Sequence, residues 1–277
     1  MNKLLIACDL DGTLLNDKKK FGLFTKLYFR KLERQGHVII FSSGRSPRTA
    51  MEHRNAIKLH GPMVLFNGNL IINPDDETFP KDRVLWDYKR LKKIFKKLYG
   101  EKRIDACMCE NDTTFFTFHP ENFRFSVEVG DKRERKNGRM DEILDADVYN
   151  FVLFSKNNSK ENRIYVKNYV EKNYPDIVFD FWGDENQFYA SILHKGRNKK
   201  TAVDYVRKVF NISEDDTYVF GDSSNDVQQV TGFKNGYAMI NAFPVLKNVA
   251  KNITKKDNNH NGVAHEIRHI IKTKYSH

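Results

Sequence analysis

Short apolar segments alternate with amphipathic segments over the first 80 residues. The apolar segments are partly β-branched, which is typical of strands buried on both faces of a parallel sheet. They lie at residues 4–8, 38–41 and 63–66. Helical spacing of apolar residues predicts one helix that ends near Gly36 and a second over residues 47–59. The order strand, helix, strand, helix, strand predicts a doubly wound parallel sheet.

The same alternation returns near the end of the chain. It predicts helices at residues 201–210, 225–230 and 264–271 and strands at residues 217–220 and 237–239. The region between the two segments contains isolated strand patterns and two amphipathic helices, as an α+β domain does. Because both outer segments are needed to bury one sheet, we predict an α/β fold with an inserted domain. The predicted Rossmann-like core comprises residues 1–80 and 188–277, and the inserted α+β domain comprises residues 81–187.

The composition excludes several classes of protein. The chain has 277 residues, of which 40% are hydrophobic and 13% aromatic, so an extended disordered chain is excluded. Three cysteines make no disulfide framework and fit a reducing compartment. No run of about 18 apolar residues predicts a membrane-spanning helix. The apolar run at residues 4–8 is too short for a signal peptide, which needs about 7–15 apolar residues, so we expect a cytoplasmic protein.

The net charge of +11 is concentrated in the predicted core. Residues 81–187 hold 21 Lys and Arg against 20 Asp and Glu, whereas the rest of the chain holds 26 against 16. An excess of base suggests nucleic acid, a membrane surface or anionic small molecules as partners. The sequence contains no recognition-helix, RNA-binding or zinc-finger motif, so we expect neither a nucleic acid nor a membrane partner. A small anionic molecule is the expected ligand.

Polar residues follow the predicted core strands at the points where open α/β sheets bind ligands. Asp9 and Asp11 follow the first strand, where Asp9 could attack an electrophile and Asp11 could handle a proton. A simple turn is the alternative, since Asp-Gly is a common turn pair. Asp222 and Asp226 follow a later strand and suit Mg²⁺, or else cap a helix.

Two further segments could bind an anion. The residues Ser42-Ser43-Gly44-Arg45 combine a hydroxyl, a glycine and a helix start, although Ser is also an ordinary helix cap. A basic segment at residues 195–200 could neutralise a phosphate, or could be a solvated turn. A parallel sheet brings the acid, hydroxyl, cation and second acid to one edge. Together they suit a phosphate monoester with Mg²⁺.

With these motifs the chain resembles the haloacid dehalogenase superfamily, and within it the Cof-type phosphatases with a large inserted (C2-type) cap. The pattern Asp-x-Asp-Gly-Thr-Leu matches residues 9–14, and Ser43-Gly44-Arg45 is similar to the second motif. The Gly-x-x-Lys-x-x-Ala pattern at residues 196–202 selects Lys199 over Lys195 and Lys200. Gly-Asp-x-x-Asn-Asp matches residues 221–226, and weaker similarity lies at residues 66–68, 238–242 and 261–264. Gln228-Gln229 and the Ser at position 43 depart from the commonest pattern.

The resemblance implies a role for each matched residue. Asp9 would be the nucleophile that forms an aspartyl-phosphate, and Asp11 would protonate the leaving alcohol and then activate water. Mg²⁺ would be held by the Asp9 carboxylate, the Asp11 backbone carbonyl and Asp222. Asp226 would orient Lys199 or a metal-bound water. Arg45 would lie behind the residues that contact the metal and the phosphoryl group. The phosphoryl group would contact Ser43, Lys199, Asn225 and backbone N–H groups near Leu10 and Gly44.

The leading hypothesis is a Mg²⁺-dependent phosphatase of a small phosphorylated metabolite, such as a sugar phosphate, with the cap closing over the site. A sugar-phosphate phosphomutase is the second hypothesis, and a non-enzymatic polyanion-binding protein is the third. The sequence leaves the physiological substrate and the oligomeric state open. Cys107 and Cys109 are expected to pack in a core, because no second Cys or His pair at metal spacing accompanies them.

Overall fold

The computed structural model describes residues 2–123, 133–183 and 186–275. The chain divides into two compact units, one formed by Met1–Asp82 with Arg197–His277 and the other by Arg83–Gly196. Within the described residues, none of the helices combines the length and apolarity that crossing a bilayer requires.

The first unit is built on an eight-stranded sheet. Numbered in chain order, its strands are β1 (Leu5–Cys8), β2 (Val38–Ser42), β3 (Met63–Leu65), β4 (Leu70–Ile72), β5 (Asp82–Arg83), β12 (Thr217–Gly221), β13 (Asn235–Ala238) and β14 (Asn252–Ile253). The spatial order is β14-β13-β12-β1-β2-β3-β4-β5. The six strands from β14 to β3 pair in parallel, and β4 is antiparallel to β3. This arrangement confirms the predicted doubly wound sheet, with β1 in its centre.

The helices of the first unit follow the strands as the crossover rule requires. They are α1 (Leu23–Arg34), α2 (Pro47–Ile57), α6 (Lys199–Val209), α7 (Val227–Gly232), α8 (Pro244–Lys247) and α9 (Gly262–Tyr275). Val203 and Val206 of α6 pack in one core with Leu5 of β1. All four residues of β1 are buried, as expected for a central strand covered on both faces.

The second unit contains a six-stranded sheet. Its strands are β6 (Ala106–Glu110), β7 (Thr114–Phe118), β8 (Glu134–Asn137), β9 (Asn150–Ser155), β10 (Ile177–Gly183) and β11 (Phe188–His194). Their order is β10-β11-β9-β6-β7-β8, and all described pairs are antiparallel except β7 with β8. The helices are α3 (Tyr88–Gly100), α4 (Met140–Ile143) and α5 (Lys160–Asn173). Cys107 and Cys109 are free thiols buried in the core between this sheet and its helices, as predicted.

The chain returns to the first unit later than the sequence indicated. The sequence predicts that return at residue 188, but residues Phe188–His194 form β11. This strand pairs with β9 and β10 over its length and therefore completes the second sheet. The return comes at Arg197, just before α6. An apolar strand pattern shows that a segment is buried, but only its pairing partners show in which sheet.

Candidate active site

The loop after β1 is held against the end of β12. The backbone N–H of Asp9 donates to the carbonyl of Phe220 at 3.0 Å, which places the Asp9 side chain beyond both strand ends. The chain then turns back, because the amides of Leu14 and Leu15 donate to the carbonyl of Leu10. Asp9 is buried, although one end of its loop is open enough for Asp11 to be partly exposed.

Asp222, the first residue after β12, packs against the same loop. Its Oδ1 accepts a hydrogen bond from the Thr13 hydroxyl at 3.0 Å. A Cβ atom at Gly12 would lie 2.3 Å from Asp222 Oδ2, and Gly12 has a φ of +74°, so this position requires glycine. Carboxylate oxygens of Asp9, Asp222 and Asp226 lie within 4.8 Å of one another. Residues more than 200 positions apart therefore meet in one acidic cluster, as the strand-end argument predicted.

Lys199 is the cation that enters this cluster. It is the first residue of α6, it is fully buried, and its Nζ lies 2.8 Å from Asp9 Oδ1 and 2.7 Å from Asp226 Oδ1. Burial alone lowers the pKa of this ammonium, but the two carboxylates outweigh burial, and the pKa lies above its usual value. Of the neighbouring cations, Lys200 instead places its Nζ 5.4 Å from the ring centroid of Phe233.

Asp226 is saturated by hydrogen bonds and holds its neighbours in place. Its Oδ1 accepts from Lys199 Nζ and from Gln229 Nε2, each at 2.7 Å. Its Oδ2 accepts the backbone N–H groups of Asp222 and Ser223 at 3.0 and 3.1 Å. A carboxylate with two donors on each oxygen is better suited to orienting Lys199 than to binding a metal ion.

Gln229 is a residue of this network that the sequence analysis did not select. It is fully buried on α7, and its Oε1 accepts from the Ser42 hydroxyl at 2.9 Å. Gln229 thus links the end of β2 to Asp226. The sequence could have indicated Gln229, because a polar amide in a buried helix needs hydrogen-bond partners.

The segment after β2 forms the next part of the site. Ser43 is buried, its N–H donates to the carbonyl of Val64, and its Oγ accepts the N–H of Arg45 at 3.3 Å. A Cβ at Gly44 would lie 3.1 Å from Asn67 Oδ1, and the same oxygen accepts from Asn225 Nδ2 at 3.0 Å. The structure therefore brings Gly44 and Asn225 together through Asn67. Asn67 directly follows the third strand pattern, so the strand-end rule could have selected it.

Asp11 lies apart from the acidic cluster. Its carboxylate accepts from Arg45 Nε at 2.7 Å and Arg45 Nη2 at 2.9 Å, and from Lys19 Nζ at 2.7 Å. Burial favours the protonated acid, but Arg45 and then Lys19 outweigh burial and lower the pKa of Asp11 well below its usual value. Asp11 is therefore ionised at neutral pH in this arrangement. Arg45 therefore contacts the side chain of Asp11 directly.

The acidic cluster carries more negative charge than its own lysine neutralises. Burial raises the pKa of Asp9, and the neighbouring carboxylates of Asp226 and Asp222 raise it further, while Lys199 lowers it. Burial and Asp226 likewise raise the pKa of Asp222, against the hydrogen bond from Thr13. Three carboxylates beside one ammonium favour uptake of protons or of a cation. Since Asp226 is saturated, Asp9 and Asp222 are the carboxylates with room for a hard cation such as Mg²⁺.

The chain is similar to known hydrolases over almost its whole length. The model of the haloacid dehalogenase-like hydrolase family matches residues 6–267. The chain belongs to this family. The 5-amino-6-(5-phospho-D-ribitylamino)uracil phosphatase YitU of Bacillus subtilis is 25% identical over 278 residues, covering 95% of this chain and 96% of YitU. Phosphatase YwpJ of B. subtilis is 26% identical over 294 residues, covering 96% of this chain and 99% of YwpJ.

A solved structure supports the same assignment. A haloacid dehalogenase-like hydrolase from B. subtilis superimposes with a TM-score of 0.76 at 25% identity, covering 96% of this chain and 99% of that one. The predicted family resemblance is confirmed, and so is the prediction of a hydrolase whose relatives are phosphatases.

We predict that Lys199→Met destabilises the protein far more than Lys200→Met. Removing Lys199 leaves buried carboxylates without their cation, and breaking a buried ion pair in this way costs about 3–5 kcal/mol. Lys200 lies outside the cluster, and losing its contact with the Phe233 ring costs about 0.5–1 kcal/mol. Urea unfolding at alkaline pH, followed by circular dichroism, measures both values. Equal losses at the two positions would contradict the structural assignment of Lys199.

Proposed function

We propose that the protein is a Mg²⁺-dependent phosphatase that hydrolyses a small phosphorylated metabolite through an aspartyl-phosphate on Asp9. The observation that carries the proposal is the contact of Lys199 Nζ with Asp9 at 2.8 Å inside a buried acidic cluster. A buried carboxylate can attack phosphorus, and an ammonium beside it can offset the charge of the phosphoryl oxygens. The family and its phosphatase relatives point to the same reaction class.

In the first step Asp9 attacks phosphorus, the bond from phosphorus to the leaving oxygen breaks, and the protonated carboxyl group of Asp11 gives its proton to that oxygen. Lys199, Ser43 and Asn225, with backbone N–H groups near Leu10 and Gly44, orient the phosphoryl oxygens and offset their charge. In the second step water attacks the aspartyl-phosphate, its proton passes to Asp11, and Asp9 is regenerated with inorganic phosphate.

The metal would be held by Asp9 and Asp222, with the Asp11 backbone carbonyl as the third protein ligand. When bound, Mg²⁺ supplies the positive charge that lets a phosphate dianion approach the Asp9 carboxylate. Asp226 holds Lys199 in place, and Thr13 holds Asp222.

Asp11 is arranged first of all as a base. Two contacts from Arg45 and one from Lys19 keep its carboxylate ionised and fix its direction. To protonate a leaving alcohol, Asp11 must first take up a proton from solvent, which requires that the Lys19 contact is exchanged as substrate binds, while Arg45 keeps the direction of the carboxyl group. We propose that Arg45 positions Asp11 in both steps.

The substrate class is a small phosphomonoester. YitU acts, by its name, on a uracil that carries a phosphorylated ribityl chain. Sugar phosphates and polyol phosphates are therefore the first compounds to screen. A phosphomutase would keep the phosphate in an organic product, so release of inorganic phosphate separates the two reactions.

We expect Asp9→Asn to lose phosphate release by about 10⁴-fold or more, because the amide cannot attack phosphorus. Release of inorganic phosphate from a panel of sugar and polyol phosphates with Mg²⁺ measures this loss. Asp145→Asn is the matched control, since Asp145 is an exposed partner of Lys136 in the second unit. Multiple turnovers by Asp9→Asn would remove Asp9 from the nucleophile role.

Arg45→Ala should reduce hydrolysis of glycerol phosphate more than hydrolysis of p-nitrophenyl phosphate. An alkoxide needs a proton from a well-placed acid, an effect worth about 10²-fold or more, whereas nitrophenolate leaves without one. Steady-state rates with both substrates give the ratio, and exposed Arg34→Ala is the control. The same loss for both leaving groups would contradict a positioning role for Arg45.

Mg²⁺ should raise the melting temperature more at about pH 8 than at about pH 5.5. Because the pKa values of Asp9 and Asp222 are raised, the folded protein binds more protons than the unfolded chain above the usual aspartate pKa of about 4. Its stability without metal therefore falls as pH rises, and a cation that binds the ionised cluster restores it.

Thermal melts with and without Mg²⁺ at the two pH values test this expectation. Asp222→Asn should abolish the shift. A shift that is equal at both pH values, or that persists in Asp222→Asn, would show that the metal binds elsewhere.

A further inference from the structure

The turn between β3 and β4 has an unusual backbone. Three successive residues have positive φ, namely Phe66 at 50°, Asn67 at 55° and Gly68 at 102°. At the other positive-φ positions of the described chain, such residues occur singly. Side chains disfavour this conformation, and two adjacent non-glycine residues adopt it only where the surrounding structure holds them.

Backbone hydrogen bonds attach this turn to the segment after β2. The N–H of Phe66 donates to the carbonyl of Arg45 at 3.2 Å, and the N–H of Asn67 donates to the carbonyl of Ser43 at 3.1 Å. The turn is thus fixed to both ends of the Ser43-Gly44-Arg45 motif.

The same turn packs closely against the start of α6. A Cβ at Gly68 would lie 2.6 Å from the carbonyl oxygen of Asn198 and 3.3 Å from Ala202 Cβ. Asn198 caps α6, and Lys199 is the next residue. The turn therefore sets the distance between the Ser43 segment and the helix that carries Lys199.

The side chain of Asn67 completes the connection. Its Oδ1 accepts from Asn225 Nδ2 at 3.0 Å, and it lies where a Cβ on Gly44 would come within 3.1 Å. The left-handed backbone at Asn67 sends the side chain toward these two groups. Asn67 therefore accepts a hydrogen bond from one proposed phosphate-binding residue and lies beside another, and its turn holds the helix of a third.

We infer that Asn67 is a positioning residue, which orients the amide of Asn225 for the phosphoryl group. The inference rests on the proposed function for the identity of that group. The strained turn supplies the direction of the side chain, and the hydrogen bond to Asn225 transmits its effect. No step of the reaction occurs on Asn67 itself.

Asn67→Gly separates positioning from fold stability. Glycine adopts a positive φ readily, so the variant should melt at the wild-type temperature or above it. Asn211→Gly is a matched control, because Asn211 also has a positive φ of 50° and lies exposed at the end of α6. Both variants make the same chemical change and relieve the same kind of backbone strain.

Inorganic phosphate is the probe, titrated calorimetrically into the full-length protein with Mg²⁺. Loss of an oriented hydrogen-bonding group should weaken phosphate binding roughly tenfold in Asn67→Gly and leave Asn211→Gly unchanged. KM for an active phosphomonoester should rise by a similar factor.

A double-mutant cycle with Asn225→Ala tests whether Asn67 acts through Asn225. If it does, adding Asn67→Gly to Asn225→Ala should weaken phosphate binding by less than about twofold. Additive losses, wild-type phosphate affinity in Asn67→Gly, or a melting temperature below that of Asn211→Gly would each overturn the inference.

These outcomes are distinct from failure of the proposed function. If Asp9→Asn abolishes turnover while Asn67→Gly binds phosphate normally, only the positioning role is wrong. If the wild-type protein hydrolyses no phosphomonoester, the proposed function fails, and the phosphate titration still decides the role of Asn67.

Discussion

The buried ion pair of Lys199 with Asp9 and Asp226 is the interaction on which the site depends. A lysine without exposed side-chain surface is stable only when its charge is paired, and here two carboxylates lie within 2.8 Å of its Nζ. The pairing joins the ends of β1 and β12 and the start of α6, which lie far apart in the chain. Lys199, Gln229 and two backbone N–H groups donate to both oxygens of Asp226. Asp9 and Asp222 are therefore the carboxylates that a further cation could bind.

Close backbone approach is the second constraint on the site. Asp222 lies against Gly12, and Asp226 lies so near Gly221 that a Cβ there would come within 2.3 Å of the Asp226 carboxyl carbon. The absence of a side chain at these positions lets the carboxylates crowd together despite their charge. Burial raises the pKa values of Asp9 and Asp222, and the neighbouring carboxylates raise them further. In the proposed function, the divalent cation would interact with Asp9 and Asp222, and the phosphoryl group would interact with Lys199.

Around this centre the polar contacts form connected groups. Gln229 links Ser42 to Asp226 by hydrogen bonds. Arg45 and Lys19 donate to Asp11. Asn67 accepts a hydrogen bond from Asn225 and lies beside Gly44. In the proposed function, Asp11 and Asn225 are each held by partners that do not react, and Asp226, which Gln229 holds, in turn holds Lys199. Such support is what positions a site on the scale of tenths of an ångström that phosphoryl transfer requires.

The apolar periodicity was sufficient to predict the parallel core sheet and its inserted domain, because strands buried on both faces leave a strong local pattern. The strand-end rule then selected Asp9 and Asp222, since every parallel strand presents its carboxyl end at one edge, and the family motif selected Lys199 over Lys195 and Lys200. Local patterns do not show which distant residues pair with each other, as Asn67 and Asn225 do across 158 positions. The same holds for the direction of the Asp11 side chain and for the pairing that places β11 in the second sheet. These features depend on which distant groups meet after folding, and only the packed tertiary structure determines that.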